Sequence, residues 1–188
     1  MKLTQEQIEI IKERSNVSKL LAELSNSCKA IELTQGYFTV VDYEDYDKMS
    51  KYLWNYNKGY ARRWIGNGKS VLMHRELIDV PEGMFVDHVN GNKLDNRKSN
   101  LRACTNKQNS VNSRPYRRKM ASQYKGVTYN KNSNKWYARI QNDGKRIFIG
   151  QYSTEKEAAL AYNRKASEFF GEFAYLNVVE EADKNGEV

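Results

Sequence analysis

Apolar residues recur at helical spacing at the start of the chain and then shift to strand-like alternation. Over residues 4–25, Ile8, Ile11, Leu20, Leu21 and Leu24 fall near a helical period, and Thr4 with Gln7 forms a capping box. Ser15 and Asn16 break this run into two helices, a pair that can open a helix-turn-helix but more often packs or caps. Gly36-Tyr37-Phe38-Thr39-Val40-Val41 is aromatic and β-branched and predicts a strand, followed by a short helix from Glu44 to Tyr52. Tyr60–Ile65 and Ser70–His74 flank a Gly66-Asn67-Gly68-Lys69 turn, which predicts a hairpin carrying Arg62 and Arg63 beside Trp64. Met84-Phe85-Val86 reads as a short strand ending at Asp87-His88, with Asn90-Gly91-Asn92 as the next turn. Helices are expected to start near Asn96 and near Asn106. His88 then ends a strand, Asn100 lies between elements and Asn109 sits on a helix.

The pattern changes again past residue 110. Residues 110–122 are polar and carry Arg114, Arg117, Arg118 and Lys119, as expected of a linker whose one-sided charge suits phosphates. Beyond it, Tyr124–Tyr129, Lys135–Ile140 and Lys145–Ile149 read as three strands, the last two joined at Asn142-Asp143-Gly144. Ser153-Thr154 then caps a helix whose box partner is Glu157 and whose natural stop is Gly171. Ala158, Ala161 and Ala166 let that helix lie close to a small sheet, and Ile147 and Tyr162 are expected in its core. The whole reads as an α+β chain: a helical segment at 1–30, a domain at 31–112, a basic linker at 113–122, a domain at 123–178 and an acidic tail at 179–188.

Composition narrows the partners. Among 188 residues, 31 are Lys or Arg and 23 are Asp or Glu, a net charge of +8 that favours polyanions through counterion release and steering. A basic protein with no nucleic-acid role shares that balance; 13 Tyr interleaved with the cations tilt it toward nucleic acid. Cys28, His74, His88 and Cys104 are too irregularly spaced for a zinc site of paired ligands. The polar N-terminus lacks a signal core, and no apolar run approaches the ~20 residues that cross a bilayer. A reducing, cytoplasmic setting without a disulfide is the expectation.

Candidate chemistry concentrates between Val86 and Asn109. A divalent cation assists phosphodiester cleavage by neutralising the phosphate and the departing oxygen. A hard ion such as Mg²⁺ takes oxygen ligands, which Asp87 and Asn109 can supply. His88, on the opposite side of the strand, can take a proton from water. An Asp-His pair alone is more often a surface turn. The surrounding words are what make it specific: His74-Arg75, Pro81-Glu82-Gly83, Val86-Asp87-His88, Asn90-Gly91-Asn92, Leu94-Asp95-Asn96-Arg97, Asn100-Leu101-Arg102 and Gln108-Asn109. In this order they resemble the HNH endonucleases of the phage and intron homing type.

That resemblance implies a ββα-metal nuclease core in which Asp87 and Asn109 hold the metal, His88 is the general base and Asn100 fixes the loop and orients His88. Many HNH enzymes end the motif in His, and Asn109 here points to Mg²⁺ or Mn²⁺ over zinc. His74 stands either against a phosphate or in strand packing, with packing the favoured role.

Residues 123–177 resemble the Apetala-two/ethylene-response-factor domain through Tyr124-Lys125-Gly126-Val127, Lys135-Trp136-Tyr137-Ala138, Lys145 to Gly150, Ala158 to Tyr162 and Leu176-Asn177. Such domains lay a three-stranded sheet in the major groove. By that resemblance Lys125, Thr128, Lys135, Arg139, Gln141, Arg146 and Phe148 lie on the DNA side. Arg139 stands where the plant domains are often acidic, and Phe148 replaces their Trp, so base preference does not transfer.

Together these features point to a site-recognising DNA endonuclease acting on double-stranded DNA, with Arg62, Arg63, Arg114, Arg117 and Arg118 as further DNA contacts. No membrane and no small-molecule substrate are expected, and the chain is expected to be a monomer, encoded by a phage or mobile element and active in the cytoplasm of a bacterial host. The rival is a DNA-binding regulator that keeps the HNH part as an inert scaffold. An RNA-binding protein draws on the same charge, but the groove-fitting sheet argues against it.

Overall fold

The computed structural model describes residues 27–113 and 122–179. The helices expected over 4–25, the linker residues Arg114, Arg117 and Arg118, and the tail from Glu180 lie outside the described residues. The chain divides into two compact units, Met1–Asn109 and Ser110–Val188, and both mix helices with small antiparallel sheets.

In the first unit, β1 (Cys28–Glu32) and β2 (Phe38–Asp42) pair antiparallel around a single 3₁₀ turn, Thr34–Gly36. Helix α1 (Tyr43–Met49) follows at once, with Glu44 and Asp45 in its first turn, where the helix dipole favours negative charge. Three strands, β3 (Asn55–Asn57), β4 (Tyr60–Gly66) and β5 (Lys69–Leu72), form an antiparallel sheet that leads into the short helix α2 (Met73–Leu77). A second hairpin, β6 (Phe85–His88) with β7 (Leu101–Cys104), places Asp87 opposite Arg102 and His88 opposite Leu101; α3 (Asn106–Val111) comes next. Val41, Met49, Trp54, Met73, Val86 and Leu101 meet in one core.

The expected helix near Asn96 is not formed. Only one 3₁₀ turn, Lys98–Asn100, precedes β7. The amides and carboxylates of residues 90–100 bond to nearby backbone groups instead, a competition that favours turns over helix. Once β7 pairs with β6, the backbone groups of residues 101–104 are committed to a sheet.

In the second unit β8 (Val127–Asn130), β9 (Lys135–Asn142) and β10 (Lys145–Tyr152) form a sheet in the order β10-β9-β8. Helix α4 (Glu155–Phe170) begins with the capping box of Thr154 and Glu157 and buries Ala158, Ala159, Ala161 and Ala166. Tyr162 is buried beside them, and Ile147 is half-buried against the same cluster.

Gly126 sets how closely the helix approaches the sheet. It has a φ of +77°, and its carbonyl accepts from the Arg139 N–H at 2.8 Å. A Cβ here would overlap the Tyr162 ring and the Arg139 carbonyl oxygen. Gly126→Ala is therefore expected to destabilise the second unit by about 3 kcal/mol. Hydrogen exchange at the β9 amides would reveal the loss.

Candidate active site

The polar loop joining β6 to β7 is tied at many points. Asn100 spans it: its side-chain amide donates to the Asp95 carbonyl at 2.8 Å and accepts from the Asn90 N–H at 2.9 Å. The Val89 N–H donates to the Asn100 carbonyl, and the Gly91 N–H to that of His88. Asp95 is held between the Asn90 amide and the Arg97 guanidinium. The loop is also stitched to β2, where Val40 donates to the Leu94 carbonyl and accepts from the Asn96 N–H. The polar side chains of Asp95, Asn96 and Asn100 are therefore partnered although these residues are nearly excluded from water.

These bonds orient the His88 ring. Thr39 Oγ1 donates to the Leu94 carbonyl at 2.8 Å, so it accepts the Asn96 side-chain N–H at 2.7 Å. That turns the Asn96 carbonyl oxygen toward His88 Nε2, 3.2 Å away. In the neutral ring Nε2 then carries the hydrogen and Nδ1 the lone pair. Burial pushes the His88 imidazole below its ordinary range, partly opposed by the Asn96 bond and the carboxylates of Asp87 and Asp95. His88 is thus a neutral, oriented imidazole.

His74 lies edge-on to His88, with ring centroids 5.1 Å apart, and Tyr60 leans on both rings. Lys93 Nζ sits 4.2 Å above the Tyr60 ring. Burial, then His88, Arg75 and Lys93, push His74 down to about 3. His74 is only 4% exposed and packs as a neutral aromatic ring.

Asp87 is equally buried, and its Oδ2 accepts from Arg102 Nε at 3.0 Å and Nη2 at 2.8 Å. Asn109 stands on α3 with its N–H donating to the Thr105 carbonyl. The fold thus brings Asp87, His88, Asn100 and His74 into one neighbourhood, with Asn109 on the helix after β7. Arg63 is engaged by Glu76 and stacks over Tyr52, while Arg62 stacks over Trp64. Arg102, Asn96 and Thr39 escaped the sequence reading. Thr39 lies 57 residues from its partner Asn96, beyond any local signal. The role of Arg102 needs a strand where a helix was expected.

In the second unit the register gathers one face of the sheet. Thr128 lies opposite Tyr137, Phe148 opposite Arg139 and Arg146 opposite Gln141. Ala138 and Ile140 alternate with these residues and are buried under α4. Tyr137 packs edge-on to Phe148 and lies under the Arg139 guanidinium, a contact the sequence reading missed although strand alternation implies it. Lys135 Nζ donates to Ser153 Oγ. The Lys125 ammonium is turned to the carbonyls of Val111 and Ser113, both at 2.7 Å, and burial lowers its pKa to about 8.

Residues 79–111 match the HNH endonuclease family, and residues 122–172 match the AP2 domain. A protein of Acanthamoeba polyphaga mimivirus, named uncharacterized HNH endonuclease L560, is 35% identical over 152 residues, which cover 78% of this chain and 78% of the relative. The chain belongs to the HNH endonuclease family. Protein 3.8 of Escherichia phage T7 is 30% identical to this HNH chain over 95 residues, 50% of the chain and 77% of the phage protein. The AP2 part is 39% identical over 62 residues to AP2-like ethylene-responsive transcription factor TOE2 of Arabidopsis thaliana, covering 33% of the chain and 13% of that protein. No helix among the described residues of the HNH chain is long and apolar enough to cross a membrane.

The state of His74 has a consequence for the stability of the HNH unit. Its folded value near 3 lies below the ordinary 6.5, so the unfolded chain binds the extra proton between these values. Its stabilisation is complete above 6.5 and is lost as pH falls through that window. The loss at this residue is expected to be about 2 kcal/mol between pH 8 and pH 5. Denaturant midpoints across that range should fall less in His74→Gln than in the parent, with His88 contributing the remaining slope in the same direction.

Proposed function

We propose that this protein is a divalent-metal-dependent DNA endonuclease of the HNH homing type, which recognises a site and hydrolyses the phosphodiester backbone within it. The observation that carries the reading is the run of hydrogen bonds from Leu94 through Thr39 and Asn96, which turns the lone pair of the His88 ring, kept neutral by burial, to Nδ1. A base held so in a dry, hydrogen-bonded setting suits abstraction of a proton from water. The fold of β6, β7 and α3 supports a ββα-metal core.

Oxygen donors such as a carboxylate and an amide suit a hard cation, although no cluster of three or more His, Cys, Asp or Glu side chains stands together among the described residues. Asp87 is a buried carboxylate that demands a positive partner, and the Arg102 guanidinium now meets that demand. Asp87 and Asn109 would hold Mg²⁺ or Mn²⁺ through oxygen. When bound, the ion would neutralise the scissile phosphate and stabilise the departing oxygen. His88 Nδ1 takes the proton of the attacking water, and Asn100 keeps the loop that carries His88 in place.

Duplex DNA would be gripped by both units. In the second, Thr128, Lys135, Arg139, Gln141, Arg146 and Phe148 would meet the major groove, while Lys125 acts as a structural tie. In the first, Arg62 is better placed than Arg63 to reach phosphate, and Arg114, Arg117 and Arg118 would add charge between the domains at 31–112 and 123–178. Relatives in a phage and a giant virus support a mobile-element or viral origin and a site of action inside a host cell. The Asp87–Arg102 pair favours one rival, a DNA-binding regulator with an inert HNH scaffold, because it satisfies the carboxylate without an ion.

Supercoiled plasmid or phage DNA, incubated with and without Mg²⁺, distinguishes the two. The parent should nick or cut only with the ion. His88→Ala should cleave about 10²–10⁴-fold more slowly yet bind DNA as before. Equal cleavage by parent and variant would remove His88 from the mechanism, and binding with no cleavage under any divalent ion would favour the regulator.

A further inference from the structure

The β4–β5 hairpin has an inner half that joins the core and an outer half that does not. Ala61 is buried, whereas every residue from Trp64 to Ser70 is exposed. Trp64 is 57% exposed and its neighbour Ile65 52%. Trp64 pairs with Ser70, but the register slips before Gly66, so Ile65 is bulged out of the ladder. Gly66, Asn67 and Gly68 all adopt positive φ and close a narrow tip. The Arg62 guanidinium stacks 4.6 Å from the Trp64 ring centroid, and its Nε is shut from solvent without a hydrogen-bond partner.

Charge selects the occupant. The hairpin from Tyr60 to Leu72 carries Arg62, Arg63 and Lys69 and no Asp or Glu, with Arg63 turned to Glu76 and Arg62 and Lys69 toward the tip. Apolar side chains on a tip cost solubility and add nothing to the core, so a surface of this kind is expected to be covered in use. Its cations select a polyanion, and its two adjacent apolar side chains select one that offers flat apolar faces. Duplex DNA offers both: a phosphate backbone outside and stacked bases within.

We propose that the hairpin tip is a DNA wedge. Trp64 and Ile65 enter a groove and unstack one base step, while Arg62 and Lys69 take the flanking phosphates. The duplex bends at that step. The proposal shares with the endonuclease reading only the partner, duplex DNA, and does not depend on cleavage.

The test uses the full chain carrying His88→Ala, in EDTA, with a random-sequence duplex labelled at both ends for energy transfer and containing 2-aminopurine. Binding should shorten the end-to-end distance and raise 2-aminopurine fluorescence. Adding Trp64→Ala and Ile65→Ala should abolish both signals and weaken binding about tenfold, with the salt dependence unchanged. Lys69→Ala should instead lower the slope of log affinity against log salt by about 1. Should the double variant melt early, Trp64→Ser alone carries the same expectation.

A double variant that still bends and unstacks the duplex overturns the wedge, as does a parent that does not bind duplex DNA or binds a carboxylate-rich protein surface in preference. If the wild type cuts DNA while the double variant bends it normally, only the wedge fails. If bending needs Trp64 but no divalent ion supports cleavage, only the nuclease reading fails.

Discussion

Asn96 donates its amide to Thr39 and so must offer its carbonyl oxygen to His88. That single orientation decides which ring nitrogen of the neutral His88 carries the hydrogen. The Thr39 hydroxyl is already committed to Leu94, so a flipped amide would set its carbonyl oxygen against the lone pairs of Thr39 Oγ1, two buried acceptors facing one another. An unpaired polar group in such a place costs about 1–3 kcal/mol, enough to hold one arrangement almost exclusively. The hydrophobic core contributes by drying the relay. Thr39 belongs to β2, the loop belongs to the β6–β7 hairpin, and the stitch between them at Val40 keeps the relay in register. The orientation of a histidine in one hairpin thus depends on another that begins much earlier in the chain, at Cys28.

The second unit solves a simpler problem. Alternation along β9 sends Ala138 and Ile140 to the helix and Tyr137, Arg139 and Gln141 to the open face. Small residues on α4 and the bare Cα of Gly126 bring helix and sheet close enough to make a rigid platform from few residues. Phe148 and Tyr137 interlock on the open face, so its aromatic surface is shaped before any partner arrives. Two DNA-binding domain types on one chain raise each other's effective concentration on a duplex.

Much of this was legible in the residues because it is local. The β4–β5 hairpin follows from its Gly-Asn-Gly turn, the cap of α4 from Thr154 and Glu157, and the strand end at His88 from the residues before it. What was not legible is non-local. The strands at Cys28, Asn55 and Leu101 carry weak local signals and exist because a partner strand pairs with them. The helix expected near Asn96 lost to side chains that bond to the backbone of their own loop. Of the site, the order of Asp87, His88, Asn100 and Asn109 could be read directly. The contacts that orient them could not, since Thr39, Asn96 and Arg102 look like ordinary polar residues until the chain folds.

Charge balance around Asp87 has one more consequence. Zinc fingers and similar small metalloproteins collapse only when their ion arrives, because the site is otherwise a cluster of uncompensated ligands. Here Arg102 supplies the compensating charge from within the polypeptide. Folding of the first unit therefore calls for no outside cation at this carboxylate: a newly made chain reaches its mature shape with that charge already balanced by its own sequence.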